Sequence, residues 1–335
     1  MSITYQLLGK PARDNALLVH IDSGQKIEHL LFDCGENCLA KVPPGTVQKI
    51  DHLFFSHLHM DHIGGFDSFF RSNYNRKIKP NHIWGPPQTS RIIQHRFQGF
   101  MWNLHEFMSC PWMVTDIYPQ EHSSYRYELQ EAFSKKYHLQ TCLYQDTFFE
   151  TDSYEIKALT LNHHTPSLAY LVKEKPRLNI DIPKLKSLDL TPGPWLKQLK
   201  ELKEGHVTSQ INGIDYSFEE LRETLLIKTT GDSIAYLTDF LADKHTINRL
   251  AEFLCGCNTI VCESHYRNSD LELAMKNYHS TTGLTASIAL RARVDNLVLM
   301  HISDRYDSGQ YPEILNEARE VFSSSSFPQE WNLEK

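Results

Sequence analysis

A chain of 335 residues, 41% hydrophobic and 11% aromatic, has enough apolar surface for one large domain or two modest ones and does not read as disordered. Its formal charge of −7 excludes a uniformly basic surface, although a local basic patch would suffice to attract phosphate. With no signal-peptide pattern, no run of about 18 apolar residues and an odd count of seven cysteines, a reduced, cytoplasmic protein without a membrane span is expected. The chain opens with two short apolar runs, ALLVHI and HLLFD, on either side of the turn DSGQ, and both read as strands. A third, DHLFFS, feeds into HLHMDHIGG at 57–65, after which IGGFDSFFR starts a helix with its aromatic residues on one side. KPNHIWGPP reads as strand then turn, and TSRIIQHRFQGFMWNLHEFM as a helix. From residue 68 to residue 105 there is no Asp or Glu, while Arg71, Arg76, Lys77, Lys79, Arg91 and Arg96 all occur. That stretch is either a phosphate-attracting patch or an ordinary solvated face.

Further on, YEIKALTLNHH is a strand arriving at a histidine pair, and TPSLAYLVKE is a strand leaving it. Residues 176–206 differ in character: LTPGPWLKQLKELKEG is a turn followed by a short, lysine-rich amphipathic helix. SIAYLTDF and NTIVCES are strands running to acids, and NLVLMHIS is a strand running to a histidine. Between the last two, LELAMKNYHSTTGLTASIALRARV is helical with a break near His279, and the tail from Ser323 is expected to fray. Cys255, Cys257 and Cys262 lack the paired spacing of a structural zinc site and read as buried apolar side chains. No P-loop, dinucleotide fingerprint or fixed-period repeat occurs.

The recurring pattern is that apolar strands end at potential ligands: HLHMDH, NHH, LTD and MHIS. Ligands at strand ends let a rigid sheet aim several of them at one point. His57, His59 and His62 offer imidazole nitrogens and Asp61 a carboxylate, the donor types that Zn²⁺ accepts. An H-x-H pair can serve one ion and the adjacent D-H pair a second, about 3.5–4 Å away. Such a site needs a further histidine for each metal and a bridging carboxylate. His163 or His164, Asp239 and His301 stand at the right kind of position. Adjacent residues on a strand point oppositely, so only one of His163 and His164 can easily face the ions.

At this point the sequence resembles the metallo-β-lactamase superfamily and, within it, the ribonuclease Z branch of zinc phosphodiesterases that trim the 3′ end of precursor tRNA. The resemblance runs through LLFDCGE, HLHMDHIGG, IWGPPQT, HHTPSLAY, TPGPWLKQLKELKEG, YLTDF, YHST and HISDRY. It implies an α/β fold, an αββα sandwich of two mixed sheets between helices. A single domain over 1–335 is expected, with 173–207 as an inserted arm or lid. His57, His59 and His163 would hold one zinc, and Asp61, His62 and His301 the other. Asp239 would bridge them, with Mn²⁺ or Fe²⁺ as alternatives to Zn²⁺. The H-x-x-x-S-x-x-Y pattern selects His163, because Ser167 and Tyr170 then fall into place. Asp61 would hold the attacking water and His279 would stabilise or protonate the leaving oxygen.

Arg305, Ser280 and Thr281 are candidate substrate contacts. Arg305 could equally pair with a carboxylate, and the two hydroxyls could cap the following helix. Glu263 and His164 would stand behind the ligands. The resemblance further implies precursor tRNA as substrate and a homodimer. The alternative is a hydrolase of the same fold acting on small phosphodiesters or other ester-type substrates. Met60, where the family commonly has glycine or alanine, and the lack of a long glycine-rich arm bear on the substrate more than on the chemistry.

Overall fold

The computed structural model describes residues 2–24, 26–144, 146–201 and 208–333. The first half of the chain builds an eight-stranded sheet in sequence order. Its strands are β1 (Ser2–Gly9), β2 (Asn15–Asp22), β3 (Ile27–Phe32), β4 (His52–Phe54), β5 (Asn81–Gly85), β6 (Pro111–Ile117), β7 (Glu121–Glu128) and β8 (Tyr137–Leu143). The outer pairs are antiparallel, whereas β3, β4, β5 and β6 run parallel. That arrangement suits their composition: β4 is three residues long and buried throughout, as a central parallel strand covered on both faces must be. The helices α1 (Pro44–Val47), α2 (Met60–Ile63), α3 (Phe66–Asn73) and α4 (Thr89–Phe97) lie among these strands in sequence. Phe66, Phe69 and Phe70 of α3 and Ile93 and Phe97 of α4 share one core with Leu31, Leu53 and Ile83 of the sheet.

One expectation changes here, and one open alternative is narrowed. The helix expected from Thr89 onward through LHEFM stops at Phe97, and Gly99 follows two residues later. The rest of that stretch is irregular and leaves Phe100, Met101, Leu104 and Phe107 exposed. The basic residues of the acid-free stretch are partly spent on the fold. Arg76 is buried and donates to the carbonyls of Gln48, Ile50 and Pro80. Lys79 pairs with Asp51 and Arg96 with Asp67, whereas Arg71, Lys77 and Arg91 are exposed.

The second sheet begins with β9 (Thr147–Glu150), β10 (Tyr154–His163) and β11 (Thr165–Glu174). A separate compact unit, Glu174–Gly231, then interrupts the chain. It contains β12 (Arg177–Ile180), α5 (Ile182–Ser187), α6 (Trp195–Glu201), β13 (Thr208–Ile211), β14 (Ile214–Ser217), α7 (Phe218–Leu225) and β15 (Leu226–Thr229). Its own core is formed by Leu185, Trp195, Leu199, Phe218, Leu221 and Leu225. The segment singled out at 173–207 lies at the start of this unit, and its residues 202–207 are outside the described residues.

The sheet resumes with β16 (Ser233–Leu237), β17 (Thr259–Glu263), β18 (Asn296–Met300) and β19 (Ser325–Ser326), interleaved with α8 (Lys244–Phe253), α9 (Leu271–Asn277), α10 (Thr282–Ala292) and α11 (Tyr311–Val321). The strand order is β19-β18-β17-β16-β11-β10-β9, parallel from β19 to β16 and antiparallel at β16–β11 and β10–β9. Ser325 and Ser326 therefore do not fray, because they pair with Leu297 and Val298. One core joins the facing sides of the two sheets, through Leu17, Phe32, Ile156 and Tyr170. It also takes in Leu250, Ala289 and Ile314 from α8, α10 and α11. This gives the helix–sheet–sheet–helix layering expected from the sequence.

Candidate metal centre

The chain leaves β4 at Phe54 and turns through residues 55–59 into α2, where His59 is the N-cap residue. The glycines that close HLHMDHIGG permit this turn to seat against its neighbour. A Cβ on Gly65 would lie 2.2 Å from the Gly35 carbonyl oxygen, and one on Gly35 would lie 2.6 Å from that of Asp61. Met60, the first residue of α2, points to solvent with 86% exposure. The two sheets are tied together at the same place. Leu168 N–H donates to the Ser56 carbonyl, Ser167 Oγ to that of Thr238 and Tyr170 Oη to that of Phe55. These bonds fix β11 and the end of β16 against the histidine turn.

Seven side chains converge. His57, His59, His163 and Asp239 form one set of four donors, and Asp61, His62, His301 and Asp239 a second. Within each set the donor atoms lie within 4.8 Å of one another, and Asp239 belongs to both. Its Oδ2 is 3.4 Å from His57 Nε2, 3.3 Å from His62 Nε2 and 3.6 Å from His163 Nε2, while its Oδ1 is 3.3 Å from His301 Nδ1. Asp61 Oδ2 is 3.1 Å from His62 Nε2 and 3.4 Å from His301 Nε2. Asp239 and His301 both follow a strand end in the left-handed backbone region, as do Asp33 and His164 (φ 54°, 51°, 57° and 57°). Asp and His tolerate that conformation better than most residues, and such strain gathers where a function needs it.

The surrounding bonds decide which ring nitrogen faces inward. Ser56 Oγ gives its hydrogen to Asp33 Oδ2, so toward His57 it can only accept, which places the proton on His57 Nδ1. Asp33 Oδ2 also receives His62 Nδ1 at 2.7 Å and Tyr236 Oη at 2.9 Å. His163 Nδ1 donates to the Tyr278 carbonyl at 2.7 Å. The Nε2 atoms of all three imidazoles therefore face the centre. Those of His57 and His62 are buried with no hydrogen-bond partner, an expensive state for a protein to keep without a ligand. Burial pushes the His57 imidazole down to about 2, so it stands unprotonated and able to ligate. Burial alone would raise the Asp239 carboxyl, yet His301 and His62 hold it well below the usual carboxylate range. Burial opposes charge on His62 as well, but Asp239 and Asp33 carry its pKa up. Imidazole and carboxylate donors, orphaned nitrogens and outer hydrogen bonds of this kind fit divalent zinc, iron or manganese.

The other expected residues fall around this centre. His279 Nδ1 donates to Glu263 Oε2 at 2.7 Å, and Glu263 Oε1 accepts from Phe240 N–H and Ser280 N–H. His164 is exposed and its ring lies 3.7 Å from that of Tyr278. Ser280 is buried and bonded to Thr285 and the Thr281 carbonyl, while Thr281 caps α10 through Leu284 N–H. Both hydroxyls are thus occupied within the fold. Arg305 pairs with a carboxylate, that of Asp270 at 3.6 Å, and lies against the rings of Tyr266 and Tyr306. Cys257 and Cys262 are buried as expected, whereas Cys255 is exposed.

Sequence reasoning missed Asp33, Ser56, Tyr236 and His265. Asp33 ends an apolar strand as Asp239 does, so the strand-end rule would have found it. His265 stands two residues beyond Glu263, with its Nδ1 3.1 Å from the His301 carbonyl oxygen. It forms a third cluster with Glu263, His279 and His301, but hydrogen bonds already occupy that cluster.

Residues 10–181 match the family model of the anti-Pycsar protein Apyc1. The chain is 42% identical over 325 residues to ribonuclease Z of Deinococcus radiodurans, covering 97% of each. To ribonuclease Z of Methanocaldococcus jannaschii it is 32% identical, covering 85% of this chain and 80% of that one. Among solved structures, the metallo-β-lactamase fold protein YhfI from Bacillus subtilis superposes with a TM-score of 0.56 at 12% identity, over 98% of this chain and 96% of that one. The short form of human tRNase Z does so with a TM-score of 0.53 at 17% identity, over 91% and 94%. These likenesses establish the metallo-β-lactamase fold.

Proposed function

The chain belongs to the ribonuclease Z family, with the Apyc1 family's pattern over its residues 10–181, and on that premise we propose that it hydrolyses RNA phosphodiester bonds in 3′ processing of precursor tRNA. The observation that carries the chemistry is the pair of four-donor sets sharing Asp239, with two buried imidazole nitrogens left unpartnered. His57, His59, His163 and Asp239 would hold one zinc, and Asp61, His62, His301 and Asp239 the second. The chemistry that two divalent ions supply when bound is Lewis acidity at the scissile phosphate and a lower pKa for the attacking water. Asp61, whose side chain is 43% exposed, accepts a hydrogen bond from that water and orients it. His279 delivers a proton to the departing ribose oxygen, and Glu263 holds the opposite ring nitrogen so that Nε2 faces the substrate.

Two further parts of the molecule bear on this proposal. The inserted unit displays Lys184 and Lys186 on α5 and Lys197 and Lys200 on α6, all exposed, and these would contact RNA phosphates. Phe100 lines, with Phe70, Tyr74 and Trp102, a cavity of about 440 Å³, and Met101, Leu104 and Phe107 of the same segment are exposed. An apolar surface of this kind favours a homodimer. Among the described residues no helix is long and apolar enough to cross a membrane.

Hydrolysis of a small phosphodiester is the second reading. The Apyc1 match spans five of the seven candidate ligands, so the metal motif by itself does not name the substrate. The test is cleavage of a precursor tRNA beside bis(p-nitrophenyl) phosphate, with and without chelator. Chelator-sensitive cleavage of both is expected; hydrolysis of the small diester alone would overturn the RNA assignment.

A further inference from the structure

We propose that His265 is a positioning residue for His279, fixing the plane of the ring that protonates the leaving oxygen. The proposal rests on the reading of His279 given above.

His279 is held by one extended segment that contributes two alternate residues, which on such a backbone point to the same side. Glu263 takes the edge of the ring, accepting from Nδ1 at 2.7 Å. His265 takes the face: the two imidazoles are nearly parallel, with centroids 3.9 Å apart and planes 9° from each other. The edge bond alone leaves the ring free to pivot about the Nδ1–carboxylate line. A flat side chain against the face removes that freedom. His163 meets the ring more steeply, at 4.8 Å and 62°, and cannot set its plane in the same way.

His265 is itself anchored. Its Nδ1 lies 3.1 Å from both the carbonyl oxygen and the Nδ1 of His301, so in either tautomer the ring is tied to His301. The segment on which it sits is fastened to the one bearing His279. Tyr266 N–H donates to the Ser280 carbonyl, and Thr282 N–H donates to that of Tyr266. Ring, anchor and backbone thus form a rigid bracket, and tyrosine, threonine and histidine on both segments are committed to it.

Rate, substrate affinity and metal content of His265→Ala and His265→Phe are measured on precursor tRNA and on bis(p-nitrophenyl) phosphate, beside His279→Ala and the double variant His265→Ala/His279→Ala. A misdirected proton donor costs kcat and leaves KM unchanged. His265→Ala is expected to lower kcat on precursor tRNA by about 10- to 100-fold. His265→Phe keeps a flat ring and should restore most of that loss. On bis(p-nitrophenyl) phosphate, whose leaving group needs little protonation, both variants should lose far less than on precursor tRNA. If His265 acts through His279, the double variant is no slower than His279→Ala alone. Additive losses, a missing metal ion in His265→Phe, or a wild-type rate for His265→Ala overturn the proposal. A wild-type rate for His279→Ala would instead overturn the reading on which it rests.

Discussion

Asp33 gives the sharpest test of how the centre is built, because it belongs to neither donor set yet fixes the direction of two candidate ligands. Its carboxylate accepts from Ser56 N–H at 2.7 Å, Ser56 Oγ at 2.7 Å, His62 Nδ1 at 2.7 Å and Tyr236 Oη at 2.9 Å, all of them buried. The substitution Asp33→Asn keeps the shape and leaves one acceptor oxygen. The amide oxygen settles where three donors meet, and the amide NH₂ then confronts the Ser56 N–H. One buried donor loses its partner, at about 1–3 kcal/mol, and three bonds to a charged acceptor become bonds to a neutral one at roughly 0.5–1 kcal/mol each. The variant should therefore be destabilised by about 3–5 kcal/mol, measured by denaturant unfolding of chelator-stripped protein. His62 also becomes a weaker ligand once its Nδ1 partner loses charge, and metal affinity should fall by about 10- to 100-fold in competition with a chromophoric chelator. Tyr236→Phe removes a single donor and should cost about 1 kcal/mol with little change in metal affinity. An Asp33→Asn protein that binds metal as tightly as the wild type would refute the argument that these outer bonds aim the imidazoles.

Four other outcomes follow from the same geometry. His279→Ala should lose about 10²–10⁴ in kcat on precursor tRNA, where a ribose alkoxide departs, but less than tenfold on bis(p-nitrophenyl) phosphate; equal losses would remove the proton-donor role. Replacing Lys184, Lys186, Lys197 and Lys200 by Glu should raise KM for precursor tRNA and flatten its salt dependence. The small diester should be hydrolysed at the wild-type rate, and an unchanged salt slope would take the inserted unit out of RNA binding. Met101→Asp and Phe107→Asp, at positions 100% and 90% exposed, should leave the fold intact and yield a monomer by light scattering, whereas a persistent dimer would place the interface elsewhere. Burial, with Arg76 adding to it, lowers His82 to about 4, so the unfolded chain binds a proton that the folded one refuses. Stability is then full above about pH 6.5 and falls toward pH 4 by up to about 3 kcal/mol. His82→Gln in metal-stripped protein should show a shallower acid slope than the wild type, and parallel slopes would refute the assignment.

The convergence of the candidate ligands is legible in the sequence for a physical reason. Rigid strands aim whatever stands at their ends, and a short apolar run followed by His or Asp is visible without knowing the fold. The same rule applied to HLLFD picks out Asp33, which differs only in facing a candidate ligand, His62, instead of the centre. What no linear pattern carries is the reversal of the backbone after those strands, where Asp33, Asp239 and His301 all adopt positive φ. Nor does a pattern show that Arg76 is turned inward onto three carbonyls, which thins a basic stretch that looked continuous. β8 escaped for a different reason: its side chains are exposed on both faces, so the alternation that marks a half-buried strand is missing. The helix from Thr89 was read too long because aromatic residues beyond Gly99 continued the apolar pattern, yet in the molecule they lie on the surface. An apolar residue that continues a helical period on paper and stands exposed in the fold is one whose partner lies outside its own helix. Phe100, Met101 and Phe107 are therefore the residues on which the proposed dimer would rest, while Phe66, Phe69 and Phe70, with the same composition, build the core.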